Sequence, residues 1–237
     1  MQKASQDISG ESLVSNTIGV ITQHIRLNEL GPGDRLPSET NFAKELSVSR
    51  TVVREAFKSL AAMRLINISA GKRAIIAHLD HGAMSLMIEH GVVTEQISVQ
   101  QIYDVRRTIE TRTVTLASLR RTETEAQTIR YHAAQMREQV ENPDLVMEHD
   151  LAFHLEIAKA SRNPIFSMIV GAFQGVSRQS WSLGWRSRTE DSQRLAMAQT
   201  HVDIADAIAT GDPQKADALM TNHFNDSIKA LLDAGMS

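Results

Sequence analysis

Four residues with metal-ligating side chains stand where a helical period calls for apolar ones. Asp150 and His154 are four residues apart, so both project from one helix face beside Leu151 and Leu155. His201 shares a face with Ile204, Ala205 and Ile208, and His223 shares one with Ala216, Leu219 and Met220. All four are therefore expected to point inward. Any one of them could be a core residue satisfied by a hydrogen bond or an ion pair. Four buried polar groups must each find partners, however, and one divalent cation serves them all at once. Three imidazoles and one carboxylate suit zinc, nickel, manganese or iron and are too rich in nitrogen for calcium. On a six-coordinate metal they leave positions for water or for the oxygens of a small anion.

A second set of residues suits a polyanion. In the stretch 47–60, Val53, Ala56, Phe57 and Leu60 recur at helical spacing and form an apolar stripe, while Arg50, Arg54 and Lys58, with Thr51, occupy the other side. A solvated surface helix has the same pattern, so the neighbours decide. Upstream, Ser38 caps a short helix that turns Phe42, Ala43 and Leu46 inward. Downstream, Leu65-Ile66-Asn67-Ile68 and Ala74-Ile75-Ile76-Ala77 flank Ser69-Ala70-Gly71-Lys72-Arg73, a hairpin with cations at its tip. Two short helices joined by a tight turn and followed by a basic hairpin make a winged helix-turn-helix, whose second helix enters the major groove of DNA.

The remaining elements must position these two sets. Residues 1–11 are polar and aperiodic and read as a disordered arm. Val14, Ile18, Ile21 and Ile25 mark a helix that Gly31-Pro32-Gly33 stops. Residues 80–98 read as a connector with one short helix. From 99 onward every segment is helical: Ile102, Val105, Ile109, Thr113 and Leu116 mark a first inward stripe. Thr122 and Glu125 form a capping box for the second helix, and Asn142-Pro143 opens a third that runs to about Ala160. A long fourth helix is expected from Pro164 toward Ser187, a fifth from near Asp191 to Gly211, and a sixth from Pro213. The predicted fold is mostly α: a winged helix over 12–79 and an antiparallel bundle of six to seven helices over 99–235.

Composition agrees with this division. The chain of 237 residues carries a net charge of −3, yet residues 12–79 hold nine Lys and Arg against five Asp and Glu, and residues 80–237 hold fifteen against twenty-one. The charge suited to DNA is local. No cysteine is present, which excludes disulfides and thiolate metal sites. No signal-like segment and no apolar run of about eighteen residues is expected to cross a membrane, so cytoplasm is the default compartment.

Gly33-Asp34-Arg35-Leu36-Pro37-Ser38-Glu39, then Val48-Ser49-Arg50-Thr51-Val52-Val53-Arg54-Glu55-Ala56, resembles the signature of the GntR family of bacterial transcription regulators. The resemblance implies operator contacts by Arg35, Arg50 and Arg54, with Ser49 and Thr51 beside them and Gly71 and Lys72 in the wing. Two departures stand out: the usual Gly-Leu ahead of the wing is Arg64-Leu65, and the wing tip is Ala70-Gly71-Lys72-Arg73. A second resemblance covers roughly 99–232. His149-Asp150-x-x-Phe153-His154, His201 ahead of Asp203-Ile204-Ala205, and Met220-x-x-His223 are similar to the all-helical ligand-binding (FCD) domain of the FadR subgroup. In its metal-binding members that aspartate and those three histidines are the ligands, which implies Asp150, His154, His201 and His223 here, and the fatty-acyl-binding branch lacks the set.

The segment Asp104-Val105-Arg106-Arg107 with Glu110 also resembles that domain, and implies that Arg106 meets an effector carboxylate while Arg107 lies on the surface. Trp185 is a candidate for lining the same pocket, with core or dimer contact as its other reading. The expected function is a transcription regulator, a repressor of a catabolic operon. It binds double-stranded operator DNA as a homodimer, since one module reads one half-site, and answers to a small carboxylate or sugar acid. A metal-dependent hydrolase is the alternative, because His149-Asp150 resembles the pair found in phosphohydrolases, although His149 is off the inward face. A structural metal in an architectural DNA-binding protein is a third.

Overall fold

The computed structural model describes residues 10–235, with side chains from Leu13 on. The expected disordered arm lies outside the described residues, except that the backbone of residues 10 and 11 already belongs to the first helix. The chain divides into two compact units, one up to Ala83 and one from Met84.

In the first unit, α1 (Gly10–Leu27) and α2 (Glu39–Leu46) pack on α3 (Arg50–Ala62). The Ser38 and Ser49 hydroxyls accept from Asn41 N and Val52 N, capping α2 and α3; each such cap contributes about 1 kcal/mol. Ser47, in the left-handed region at φ 54°, makes the turn between them. The stripe of α3 is buried as its spacing predicts, with Phe57 edge-on to Phe42 at 5.9 Å. Strands β1 (Ile66–Asn67) and β2 (Ile75–Ile76) pair antiparallel in the register Ile66 to Ile76. The Arg35 segment adds to β2, since Gly33 N donates to Ile76 O and Leu36 N to Ala74 O, both at 2.9 Å. Gly71 turns the wing with φ 71°, a conformation that costs glycine little. The departure at Arg64 has a physical counterpart: this residue takes φ 59° just past α3, where a glycine would sit without strain. Its guanidinium then reaches Asp80 at 2.6 Å.

In the second unit, α4 (Gly82–Val93) starts at the join, and seven further helices follow. They are α5 (Val99–Arg120), α6 (Glu123–Glu138), α7 (Pro143–Ala160), α8 (Pro164–Ala172), α9 (Gln174–Ser187), α10 (Asp191–Thr210) and α11 (Pro213–Asp233). Their caps follow the sequence: the reciprocal box of Thr122 and Glu125, and proline in the first turn of α7, α8 and α11. Helix α5 packs against α7, α10 and α11, and α6 against α7 and α10. Phe153, Ile157, Ile204, Ile208, Met220 and Phe224 fill the core between them.

Two expectations are corrected. The long fourth helix is two helices, because at Phe173 the backbone bonds to Val170 three residues back and slips the period before α9 begins. A single-turn change of this kind leaves no side-chain signature. On α5, Val105 is 45% exposed and does not belong to the inward stripe. Arg106 and Glu110 occupy that stripe instead, buried between Ile102 and Thr113. The pairing of their charges makes this burial possible.

Candidate functional site

On the first unit, Arg50, Thr51 and Arg54 are exposed along α3, Arg35 lies on the exposed strand-like segment, and Lys72 projects from the wing. Among the described residues Lys58 is tied to Glu55 at 2.9 Å, whereas Arg35, Arg50, Arg54 and Lys72 have no ion-pair partner. The Ser49 hydroxyl accepts from Val52 N at 3.3 Å and keeps its own proton for an acceptor. The face presents free cations without a carboxylate to neutralise them, as phosphate binding requires.

In the second unit, three helices bring the inward polar residues together. Helix α7 supplies Asp150 and His154, α10 supplies His201, α11 supplies His223, and all four are buried, His201 completely. One ring nitrogen from each of the three histidines lies within 4.8 Å of the others. Asp150 is outside that tight group but adjoins it, its Oδ1 3.0 Å from His201 Nε2 and 3.8 Å from His154 Nε2. Phe153 and Phe224 wall the cluster with ring edges and faces, the former 5.1 Å from His201 and the latter 5.1 Å from His223.

Two of the imidazoles are oriented from behind. His201 Nδ1 is 2.9 Å from Met197 O, so this nitrogen carries the proton and Nε2 keeps a lone pair facing the cluster. His154 Nδ1 has Glu110 Oε2 behind it at 2.5 Å, an ion-pair contact that lacks the geometry of a hydrogen bond. Glu110 in turn accepts from Arg106 Nε at 2.8 Å, and Arg106 Nη1 donates to Ser177 Oγ at 3.0 Å. Burial opposes ionisation of Glu110, but Arg106 and His154 outweigh it and hold the carboxyl below its usual range. Burial likewise opposes the charge on Asp150, and the contacts with His201 and the other two histidines prevail, leaving it a carboxylate. His223 is driven well below its ordinary value by burial, then by His201 and His154.

A divalent metal fits this donor set. Neither ring nitrogen of His154 nor His201 Nε2 has a hydrogen-bond partner of sound geometry among the described residues, although all three are fully enclosed. His201 Nε2 approaches Asp150 Oδ1 at 3.0 Å without meeting the geometry of a hydrogen bond. Two ligands at right angles on one ion, each about 2.1 Å from it, stand about 3 Å apart. Orphaned buried nitrogens are costly unless something accepts their lone pairs.

Beside the cluster lies a cavity of about 40 Å³, lined by Arg106, Asp150, His154 and His223 and by Trp181, Trp185 and Arg188. Trp185 is stacked on Trp181 at 5.0 Å, with Arg194 over its other side at 5.2 Å. Arg106 faces this cavity as expected, and Arg107 is half-exposed. Sequence reasoning missed the roles of Glu110 and Arg188. The first had a legible signal, an opposite charge four residues from Arg106 on a buried face. The second follows the end of α9, where no period applies. His149, which suggested a hydrolase, is turned to His132, their Nδ1 atoms 3.0 Å apart, and is not among the clustered residues.

Comparison with known proteins agrees with both halves. Residues 13–76 match the bacterial regulatory proteins of the gntR family, and residues 101–226, more than half of the chain, match the FCD domain. The chain is 28% identical over 204 residues to the HTH-type transcriptional regulator LutR of Bacillus subtilis, across 84% of this chain and 92% of that protein. It is 27% identical over 218 residues to the HTH-type transcriptional repressor NanR of Salmonella newport, across 86% and 80%. The solved structure of Streptococcus agalactiae GntR has the same fold, with a TM-score of 0.66 at 22% identity over 91% of this chain and 99% of that one. No helix among the described residues is long and apolar enough to cross a membrane. Relatives and domain content are those of regulators and not of enzymes: the chain belongs to the GntR family of bacterial regulatory proteins, in the FadR-like group that joins a winged helix to an FCD domain, and is a DNA-binding transcription regulator.

Proposed function

We propose that this regulator holds a divalent transition metal through Asp150, His154, His201 and His223, and that a small carboxylate or sugar acid binding at this metal controls its hold on operator DNA. The observation that carries the reading is the convergence of three histidines, two of them with Nε2 orphaned, beside a cavity that His154, His223 and Arg106 line. The nitrogen-rich donor set favours zinc, nickel, manganese or iron. Bound there, such an ion supplies Lewis acidity toward an oxygen ligand. Arg106 supplies a fixed charge at the cavity wall, because Glu110 and Ser177 lock its guanidinium.

Residues 12–79 act as the DNA-binding module, with Arg35, Ser49, Arg50, Thr51, Arg54, Gly71 and Lys72 on the operator, 80–98 as a connector, and 99–235 as the effector and dimerisation domain. The active form is a homodimer, since each recognition helix reads one half-site. Operator binding puts the protein at its site of action in the cytoplasm, and the repressor among its relatives supports repression as the mode of control. Operator fragments selected from genomic DNA with the full-length protein provide the test. Binding to them is titrated against hydroxy acids and sugar acids, with and without a chelator. An acid-dependent change in operator affinity that disappears on chelation is expected. Affinity indifferent to every acid and to chelation would overturn the metal and effector assignment.

A further inference from the structure

Arg188 lines two spaces at once. It borders the buried cavity at the histidines, and with Met197 and His223 it also borders an outer cleft of about 290 Å³. The inner cavity, about 40 Å³ in volume, has room for about three water-sized groups, roughly one carboxylate. The remainder of any ligand anchored there must pass Arg188 and Met197 on its way outward.

The charges around these spaces are unequal. Glu110 offsets Arg106 within 2.8 Å. Asp150 offsets one charge of a divalent ion, and imidazoles that ligate are neutral. One metal charge and the charge of Arg188 then have no carboxylate within the cavity. In the outer cleft the carboxylates of Asp226 and Asp233, with Lys229 between them in sequence, are exposed to solvent, and among the described residues Arg188 forms an ion pair with neither. Its Nη1 donates to Gly184 O at 2.6 Å, which pins the guanidinium at the mouth while leaving other N–H groups to donate. Burial lowers the pKa of Arg188 and outweighs the opposing pull of Asp150 and Asp226, yet an arginine stays protonated.

We infer that Arg188 is a specificity residue for an effector with two anionic groups: one carboxylate enters the cavity at the histidine cluster, and a second is held by Arg188 at its mouth. This rests on the metal and carboxylate reading above. A monocarboxylate fills only the inner position, and two groups a few carbons apart span from one space to the other. Arg188 recognises a planar carboxylate through a fork of N–H donors, which a lysine provides less well.

The test uses the full-length protein with its metal content measured and restored to one equivalent. Succinate and butyrate, and glutarate and pentanoate, are titrated calorimetrically into wild type, Arg188→Gln and Arg188→Lys. Wild type should bind each dicarboxylate at least tenfold more tightly than the monocarboxylate of equal length. Arg188→Gln should remove that preference, weakening each dicarboxylate at least tenfold more than the monocarboxylate of equal length, and Arg188→Lys should retain part of it. Equal affinities in wild type, or a preference that survives in Arg188→Gln, would overturn the role of Arg188 while metal-dependent monocarboxylate binding leaves the broader reading intact. If no acid binds in a metal-dependent way, both are overturned.

Discussion

Glu110 Oε2 lies 2.5 Å from His154 Nδ1, across the packing of α5 on α7, while the other oxygen of the same carboxylate holds Arg106. One buried anion thus orients a candidate metal ligand and a candidate effector contact together. Glu110→Gln retains the size of the side chain and removes its charge. Metal affinity should fall about ten- to a hundredfold, the usual cost of removing a carboxylate that backs a ligating histidine. Competition with a chromophoric chelator measures it, and unchanged affinity would detach Glu110 from the site.

Arg106 lines the cavity and also compensates the buried charge of Glu110, which makes it a stability residue. Arg106→Ala leaves Glu110 buried with only His154 beside it, and should cost about 3 to 5 kcal/mol in urea denaturation. Replacing both partners by leucine should recover most of that loss, because the desolvation penalty goes with the charges. A double variant no more stable than Arg106→Ala would show that the pair is not what makes the single change costly.

The DNA-facing arginines should behave in the opposite way. Arg50 and Arg54 are exposed and unpaired among the described residues, so alanine there should change stability by no more than about 0.5 kcal/mol. Loss of a bidentate base contact should weaken operator binding by about 1 to 3 kcal/mol. Lys72→Ala in the wing should act more through phosphate contacts, lowering the salt slope by about one. Mobility-shift titrations at several salt concentrations separate these outcomes, and wild-type operator affinity in both arginine variants would refute the recognition-helix assignment.

Most of the fold was legible because its signals are local. Ser38, Thr122 and Pro213 mark helix starts whatever the tertiary context, and Val53, Ala56, Phe57 and Leu60 fix a buried face by spacing alone. The inward turn of Asp150, His154, His201 and His223 was legible for the same reason, each being flanked by apolar residues of its own stripe. The break at Phe173 was not, since a shift from one hydrogen-bond pattern to another needs no special residue. Val105 was misjudged because hydrophobicity was weighed above charge pairing: the buried positions belong to Arg106 and Glu110, which satisfy each other. Arg188 could not be found from a period at all, because it lies beyond the end of α9 and reaches the cavity only through the packing of α9, α10 and α11.

Metal should also stabilise the folded chain. A ligand that binds only the folded bundle adds about 2.7 kcal/mol at a hundredfold excess over its dissociation constant. Chelation should therefore lower the melting temperature of wild type, and should leave that of a His154→Ala variant unchanged. Equal shifts in the two would point to metal bound elsewhere.

The central claim is that Asp150, His154, His201 and His223 share one ion, and elemental analysis of the purified full-length protein tests it most directly. Wild type should carry close to one equivalent of a first-row divalent metal per chain, and the double variant His201→Ala/His223→Ala should carry essentially none. Full occupancy in the double variant, at the same protein concentration and after the same dialysis, would contradict the account.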